Sequence, residues 1–172
     1  MAETFRTDIG YSSQTTVALD LGTGSSTGAL SAAVTLTEGT GINQANRKFE
    51  DTRTLTATTA ETIDIFDFGG VTDPHGRAYT LSKVRKLIIK NTSTTAANLL
   101  KVGGEGTAAA WNSPFGGDDT SLLVVEPGGI LVLEAPSAAG YAVADTSNHL
   151  LKIENMGSTS TIYNIIVVGS QA

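Results

Sequence analysis

From Phe66 onward the chain is a succession of short apolar runs cut by glycine, proline and asparagine turns. In order they read DFGG, TDPHGR, IIKNTSTTAAN, VGGEG, WNSPFGGDD, VEPGGILVLEAP, AAGYAV, LLKIENMG and TIYNIIVVG. Turn signals recurring at intervals of about eight to twelve residues are the mark of a β-sandwich or a jelly roll. Apolar residues nowhere keep the i, i+3, i+4, i+7 spacing of a helix over a sustained window. The fold predicted is all-β: an antiparallel β-sandwich, jelly-roll-like, with an extended Gly/Ser/Thr-rich N-terminal arm.

The division expected is an arm over residues 1–45 and a sandwich body over residues 46–172. From Gly10 to Gly41 the chain is dominated by Gly, Ser, Thr and Ala. Val17, Leu19 and Leu21 alternate there, as do Val34 and Leu36, so short strands are possible, while GTGSSTG between them is flexible by composition. Too poor in bulky side chains to order alone, this arm is expected to lie on a neighbouring subunit or on its own body. Val17, Leu19 and Leu21 are its candidate partner-binding residues.

In the body, strands are predicted at Thr54–Thr59, Glu61–Phe68, Ala78–Asn91 (one strand, or two joined by a bulge), Leu99–Val102 and Gly140–Ala144. Two more are Leu150–Ile153 and Thr161–Val168. Asp73-Pro74-His75-Gly76 fits a type I turn, with Asp capping, Pro presetting φ and Gly closing. Glu126-Pro127-Gly128-Gly129 fits a type II turn and predicts a hairpin of Ser121–Val125 with Ile130–Leu133. Asn98–Val102 and Asn148–Ile153 echo one another, as equivalent strands of opposing sheets would.

At 172 residues the chain can bury about 69% of its unfolded surface, so a core needs neither disulfide nor metal. There are no cysteines, which excludes a disulfide framework and thiolate chemistry. The net charge of −6 argues against a nucleic-acid partner, which needs clustered cations. The one basic cluster, Lys83, Arg85, Lys86 and Lys90, reads as a solvated sheet face. The N-terminus carries no secretory leader pattern, and no apolar run nears the ~20 residues of a membrane helix. A soluble protein made in a cytoplasm is expected, with no membrane partner.

Val17 to Ser26 looks like the first phosphate loop of the actin, Hsp70 and sugar-kinase ATPases, with Asp20, Gly22, Thr23 and Gly24 at the matching positions. Those enzymes need two α/β lobes and a second loop, which a helix-poor chain of this length cannot supply; a linker after a short strand is the reading kept. Asp118-Asp119 could offer oxygens to a hard cation but reads more simply as an acidic loop. Asp64 and Asp67 would face opposite sides of a strand. His75 and His149 lack a partner at motif spacing and read as isolated surface histidines. The Asn91-Thr92-Ser93 sequon reads as a turn. No cofactor, metal or catalytic set is expected, and the protein is expected not to be an enzyme.

Trp111, with Phe115 in the longest loop of the body, is the candidate binding residue. The pair could form an exposed anchor or sugar platform, or Trp111 could plug one end of the sandwich.

The cadence Arg53-Thr-Leu55, Thr62-Ile-Asp64, Val71-Thr-Asp73 with Gly76, Val84 to Ile89, Val102-Gly103-Gly104 and Val125-Glu-Pro-Gly-Gly129 continues in the same style. Ala135-Pro136, Gly140 to Val143, Leu150-Leu151 and Tyr163 to Gly169 complete it. From Phe49 to Gly169 it resembles small structural proteins of tailed bacteriophages. The resemblance implies a virion component made in the bacterial host cytoplasm. The version favoured is a head decoration (cement) protein on the capsid surface, a homotrimer whose partners are itself and the major capsid protein. The alternatives are a tail, head-completion or fibre-associated subunit of the same fold, and a carbohydrate-binding module using Trp111 and Phe115. A cupin-like enzyme would need a histidine-rich metal cluster, and two distant histidines argue against it.

Overall fold

The computed structural model describes residues 3–19, 22–73 and 76–171. Two long strands come first, β1 (Thr4–Leu19) and β2 (Gly22–Glu38), paired antiparallel from Thr4↔Thr37 to Leu19↔Gly22. The two-residue β3 (Gln44–Ala45) pairs parallel with the end of β2. The body follows as β4 (Arg47–Leu55), β5 (Ala60–Asp64), β6 (Leu81–Asn91), β7 (Leu100–Gly103), β8 (Leu122–Val125), β9 (Ile130–Glu134), β10 (Tyr141–Ala142), β11 (Leu150–Asn155) and β12 (Thr161–Gln171). The helical content described is one short 3-10 turn, Ser113–Phe115.

One sheet runs β4-β12-β6, with β9 and the short β10 sharing the far edge of β6. The other runs β5-β11-β7-β8. Numbering the eight main body strands in chain order, with β10 set aside, the sheets read first–eighth–third–sixth and second–seventh–fourth–fifth. That interleaving, in which most connections cross from one sheet to the other, is a jelly roll. The all-β expectation therefore holds.

The inner faces meet in one core. β12 contributes Tyr163, Ile165 and Val167, β6 contributes Leu87 and Ile89, and Leu151 and Ile153 of β11 face them. Alternation along β12 is clean from Thr161 to Ile165, then ends: Val167 and Val168 are both buried. The reason is a second, smaller cluster on the outer face, where Leu36 and Ala45 are buried with Val168, and Phe5, Val34 and Ile166 pack around them. The base of the β1–β2 ribbon covers that patch of sheet.

Several strand expectations shift. The predicted Thr54–Thr59 strand is instead β4, which ends at Leu55, and residues 56–59 turn. The run predicted to reach Phe68 stops at Asp64. β6 does carry the bulge, at Arg85: Val168 pairs with Lys86 and Gly169 with Val84. β7 and β11, the two echoing strands, are neighbours in one sheet, not counterparts in opposing ones.

Both predicted turns form. Gly76 N–H donates to Asp73 C=O (2.9 Å) and Arg77 N–H to Asp73 Oδ1 (2.9 Å); Pro74 and His75 lie outside the described residues. Gly129 N–H donates to Glu126 C=O (2.8 Å), with Gly128 at φ 74°. The predicted hairpin around this second turn does not form. β8 pairs with β7 and β9 with β6, so the turn hands the chain from one sheet to the other.

Gly104 sits where the β7–β8 connection doubles back. A Cβ there would lie 1.8 Å from the Asp119 carbonyl oxygen, which is backbone and cannot rotate away. Gly104→Ala is expected to destabilise by about 1–3 kcal/mol, with loop displacement, as overpacking does. A thermal melt matching the parent would show that this close approach is not held in solution.

Candidate functional site

The β1–β2 ribbon is the element without an internal partner for most of its length. At about 3.3 Å per residue its sixteen-residue first strand spans roughly 50 Å, against a body of about 35 Å across. Its base is tied down by Phe5, Val34 and Leu36, by Glu3 on Arg77 (3.3 Å), and by a hydrogen bond from Lys86 Nζ to Thr7 Oγ1. Beyond Thr7 the picture changes. Ile9 is 47% exposed, Tyr11 61% and Leu30 65%.

Register explains these three. Opposite residues in an antiparallel pair share a face. Phe5↔Leu36, Thr7↔Val34, Ile9↔Ala32 and Tyr11↔Leu30 therefore form one stripe, apolar apart from the hydroxyls of Thr7 and Tyr11. The alternate rungs, Arg6↔Thr35, Asp8↔Ala33, Ser12↔Ala29 and Gln14↔Thr27, form a mostly polar face, with Arg6 and Asp8 joined at 2.7 Å. This partition was readable from Phe5, Ile9 and Tyr11 spaced at even intervals, a signal that the bias towards Gly, Ser and Thr hides. GTGSSTG, expected to be flexible, begins β2 opposite the last part of β1. Val17 pairs with Gly24 and Leu19 with Gly22. Asp20 and Leu21 lie outside the described residues.

A second apolar surface lies across the molecule's β8–β9 corner. β8 is an edge strand of one sheet, β9 of the other, and the Glu126–Gly129 turn joins them. Leu122, Leu123, Val124 and Ile130 are exposed there. They flank a shallow groove of about 310 Å³ lined mainly by Leu123, Val124, Val125, Gly129, Ile130 and Leu131.

Trp111 corrects an expectation. It is fully buried; its indole N–H donates to Ala142 C=O (2.9 Å), and Phe115 and Tyr141 meet it edge-on at 6.2 and 6.1 Å. Phe115 is half-buried against the same core. The pair closes the loop end of the sandwich, and the fully buried Trp111 is not an exposed anchor.

The basic cluster is a solvated face only in part: Lys90 is exposed and Lys83 half-buried, but Arg85 and Lys86 are not. Arg85 is buried and donates to the Thr40 (2.9 Å) and Gly41 (3.1 Å) carbonyls, and burial pulls its guanidinium below the usual arginine value. Lys86 is buried beneath the ribbon base, 3.0 Å from Glu134 Oε1. The bulge turns Arg85 towards the loop after β2, which no local pattern announces.

The remaining polar candidates serve the fold. Asp118 accepts from Thr120 N–H (2.8 Å) and its hydroxyl (2.7 Å), which hold this exposed carboxyl below the ordinary range; Asp119 accepts from Asn112. Asp64 and Asp67 cap successive turns through Phe66 N–H and Gly69 N–H. His149 is not isolated: its Nδ1 lies 3.0 Å from Asp64 Oδ2. Asn91 is buried, donating to Asn98 C=O (2.7 Å) and Val125 C=O (3.2 Å). Among the described residues no group of three His, Asp or Glu side chains is placed to hold a metal ion, and no helix is long and apolar enough to cross a membrane.

No family model matches the chain, and no curated protein matches it. Among solved structures, a chain from the X-ray structure of tomato aspermy virus is similar, with 10% identity and a TM-score of 0.39. The match covers 73% of this chain and 78% of that one.

Proposed function

We propose that the protein is a non-enzymatic virion component of a tailed bacteriophage. It is a capsid decoration, or cement, protein that binds and stabilises the major capsid shell as a homotrimer after synthesis in the host cytoplasm. The observation that carries this reading is the ribbon: a long two-stranded element, anchored at its base, with an apolar stripe left in solvent. Isolated two-stranded ribbons are at best marginal in water, so such an element has its use in covering another surface. The cysteine-free jelly roll beneath it is a rigid support that needs no redox environment. The resemblance of Phe49–Gly169 to small phage structural proteins supports the same role. The jelly roll itself does not choose, since viral capsid domains, lectins and cupins share it. The carbohydrate alternative loses the indole of its platform with the burial of Trp111.

The test is co-sedimentation of the purified protein with expanded empty capsids of the encoding phage, with its mass in solution measured by light scattering. A stable trimer that pellets with the shell in stoichiometric amounts is expected. A monomer left in the supernatant overturns the reading. Density at a single vertex, instead of over the shell, would reassign the protein to head completion or the tail.

A further inference from the structure

We infer that the apolar stripe of the ribbon docks in the β8–β9 corner groove of a second copy of this chain, in a head-to-tail contact. The inference rests on the assembly reading above and names the partner of the ribbon. The stripe is already an interface at its base, where Phe5, Val34 and Leu36 cover Ile166 and Val168. Ile9, Tyr11 and Leu30 continue the same face past the edge of the body without a break in register. Within one chain the two surfaces do not cover each other, because Ile9, Tyr11, Leu30, Leu123, Val124 and Ile130 are all exposed.

The groove calls for such an occupant. β8 pairs with β7 on one side alone, and its outer edge carries three consecutive exposed apolar side chains; edges of that kind need to be covered to avoid uncontrolled pairing. Charge leaves these surfaces as the place where two copies of the chain can meet. At a net charge of −6 two copies repel, yet the stripe carries no acidic or basic side chain of Asp, Glu, Lys, Arg or His, and Glu126 is the one acid lining the groove. Because the donor and acceptor patches differ, the contact is heterologous; it closes a ring when the rotation between copies permits.

The test uses two double variants of the full chain. Tyr11→Asp with Leu30→Asp disables the ribbon, and Val124→Asp with Ile130→Asp disables the groove. Light scattering is expected to show an oligomer for the parent and a monomer for each variant. An equimolar mixture should recover a one-to-one dimer, since one partner keeps a working ribbon and the other a working groove. A parent that is monomeric, a groove variant that keeps the parent's mass, or a mixture that stays monomeric overturns the inference. If the groove pair does not fold by circular dichroism, Ile130→Lys alone, at a side chain 58% exposed, replaces it. Assembly is read here without capsids, so its failure is distinct from failure to bind the shell.

Discussion

Replacing Trp111 by alanine is expected to cost about 3–5 kcal/mol, the range for removing a large aromatic from a packed core. The side chain is fully buried between Phe115 and Tyr141. Its backbone N–H also donates to Leu150 C=O (2.8 Å), so the residue pins the long β7–β8 connection onto β10 and β11. The Ala142 carbonyl that accepts the indole N–H also accepts from Ser113 Oγ (3.0 Å) and Asn148 Nδ2 (2.8 Å). It therefore stays satisfied in the variant, and the loss is one of packing and cavity. Against a total of about 5–15 kcal/mol for a domain, the change should lower the melting temperature by roughly 10 °C or more. Trp111→Phe keeps most of the volume and should cost far less. Denaturant unfolding followed by far-ultraviolet circular dichroism measures both. An alanine variant with the parent's midpoint would mean that the indole does not pack inside.

Trp111 shows where reading a sequence stops. Its type and its loop were visible, and both an anchor and a plug fitted them; only the packing of Tyr141 from another strand decides. Turns were legible because their chemistry is local: Asp73 and Gly76 carry their own hydrogen bonds, as do Glu126 and Gly129. Pairing was not, and the β8–β9 hairpin failed for a physical reason present in the turn itself. A type II turn twists against the right-handed twist of paired strands and splays them, so a Pro-Gly-Gly corner between two apolar runs suits a change of sheet. The start of β4 is hidden because Arg47 to Arg53 is charged at every position but Phe49 and Thr52, with Phe49 its sole large apolar residue, and its partner β12 supplies the pattern. Lys86 looked solvated because nothing in Val84–Lys90 reports that Phe5 and Leu36 lie over that part of the sheet. In the candidate site, Val34 and Leu36 stood out by alternation, but their continuation through Leu30, Tyr11 and Ile9 emerges only when β1 and β2 are set in register.

That register also makes a sharp prediction about the ribbon. Joining Thr7 directly to Val34 through an Asn-Gly turn removes residues 8–33 and keeps the anchored base, because Thr7 and Val34 are opposite one another and Asn-Gly suits a two-residue hairpin. The described side chains removed are exposed or, as with Ser13, half-exposed, and the buried positions Leu36 and Ala45 remain. The melting temperature should therefore stay within about 2 °C of the parent. Shell binding should nevertheless be lost. A decoration protein held as an oligomer gains from several simultaneous contacts, worth roughly 10²–10⁴ in apparent affinity over one contact, and the shortened chain would meet the shell singly. The readout is occupancy on expanded capsids at fixed protein concentration, beside a melt of the same sample. Full decoration by the shortened chain would show that shell binding needs neither residues 8–33 nor the assembly they make, whereas a collapsed melt would show that residues 8–33 stabilise the body they leave.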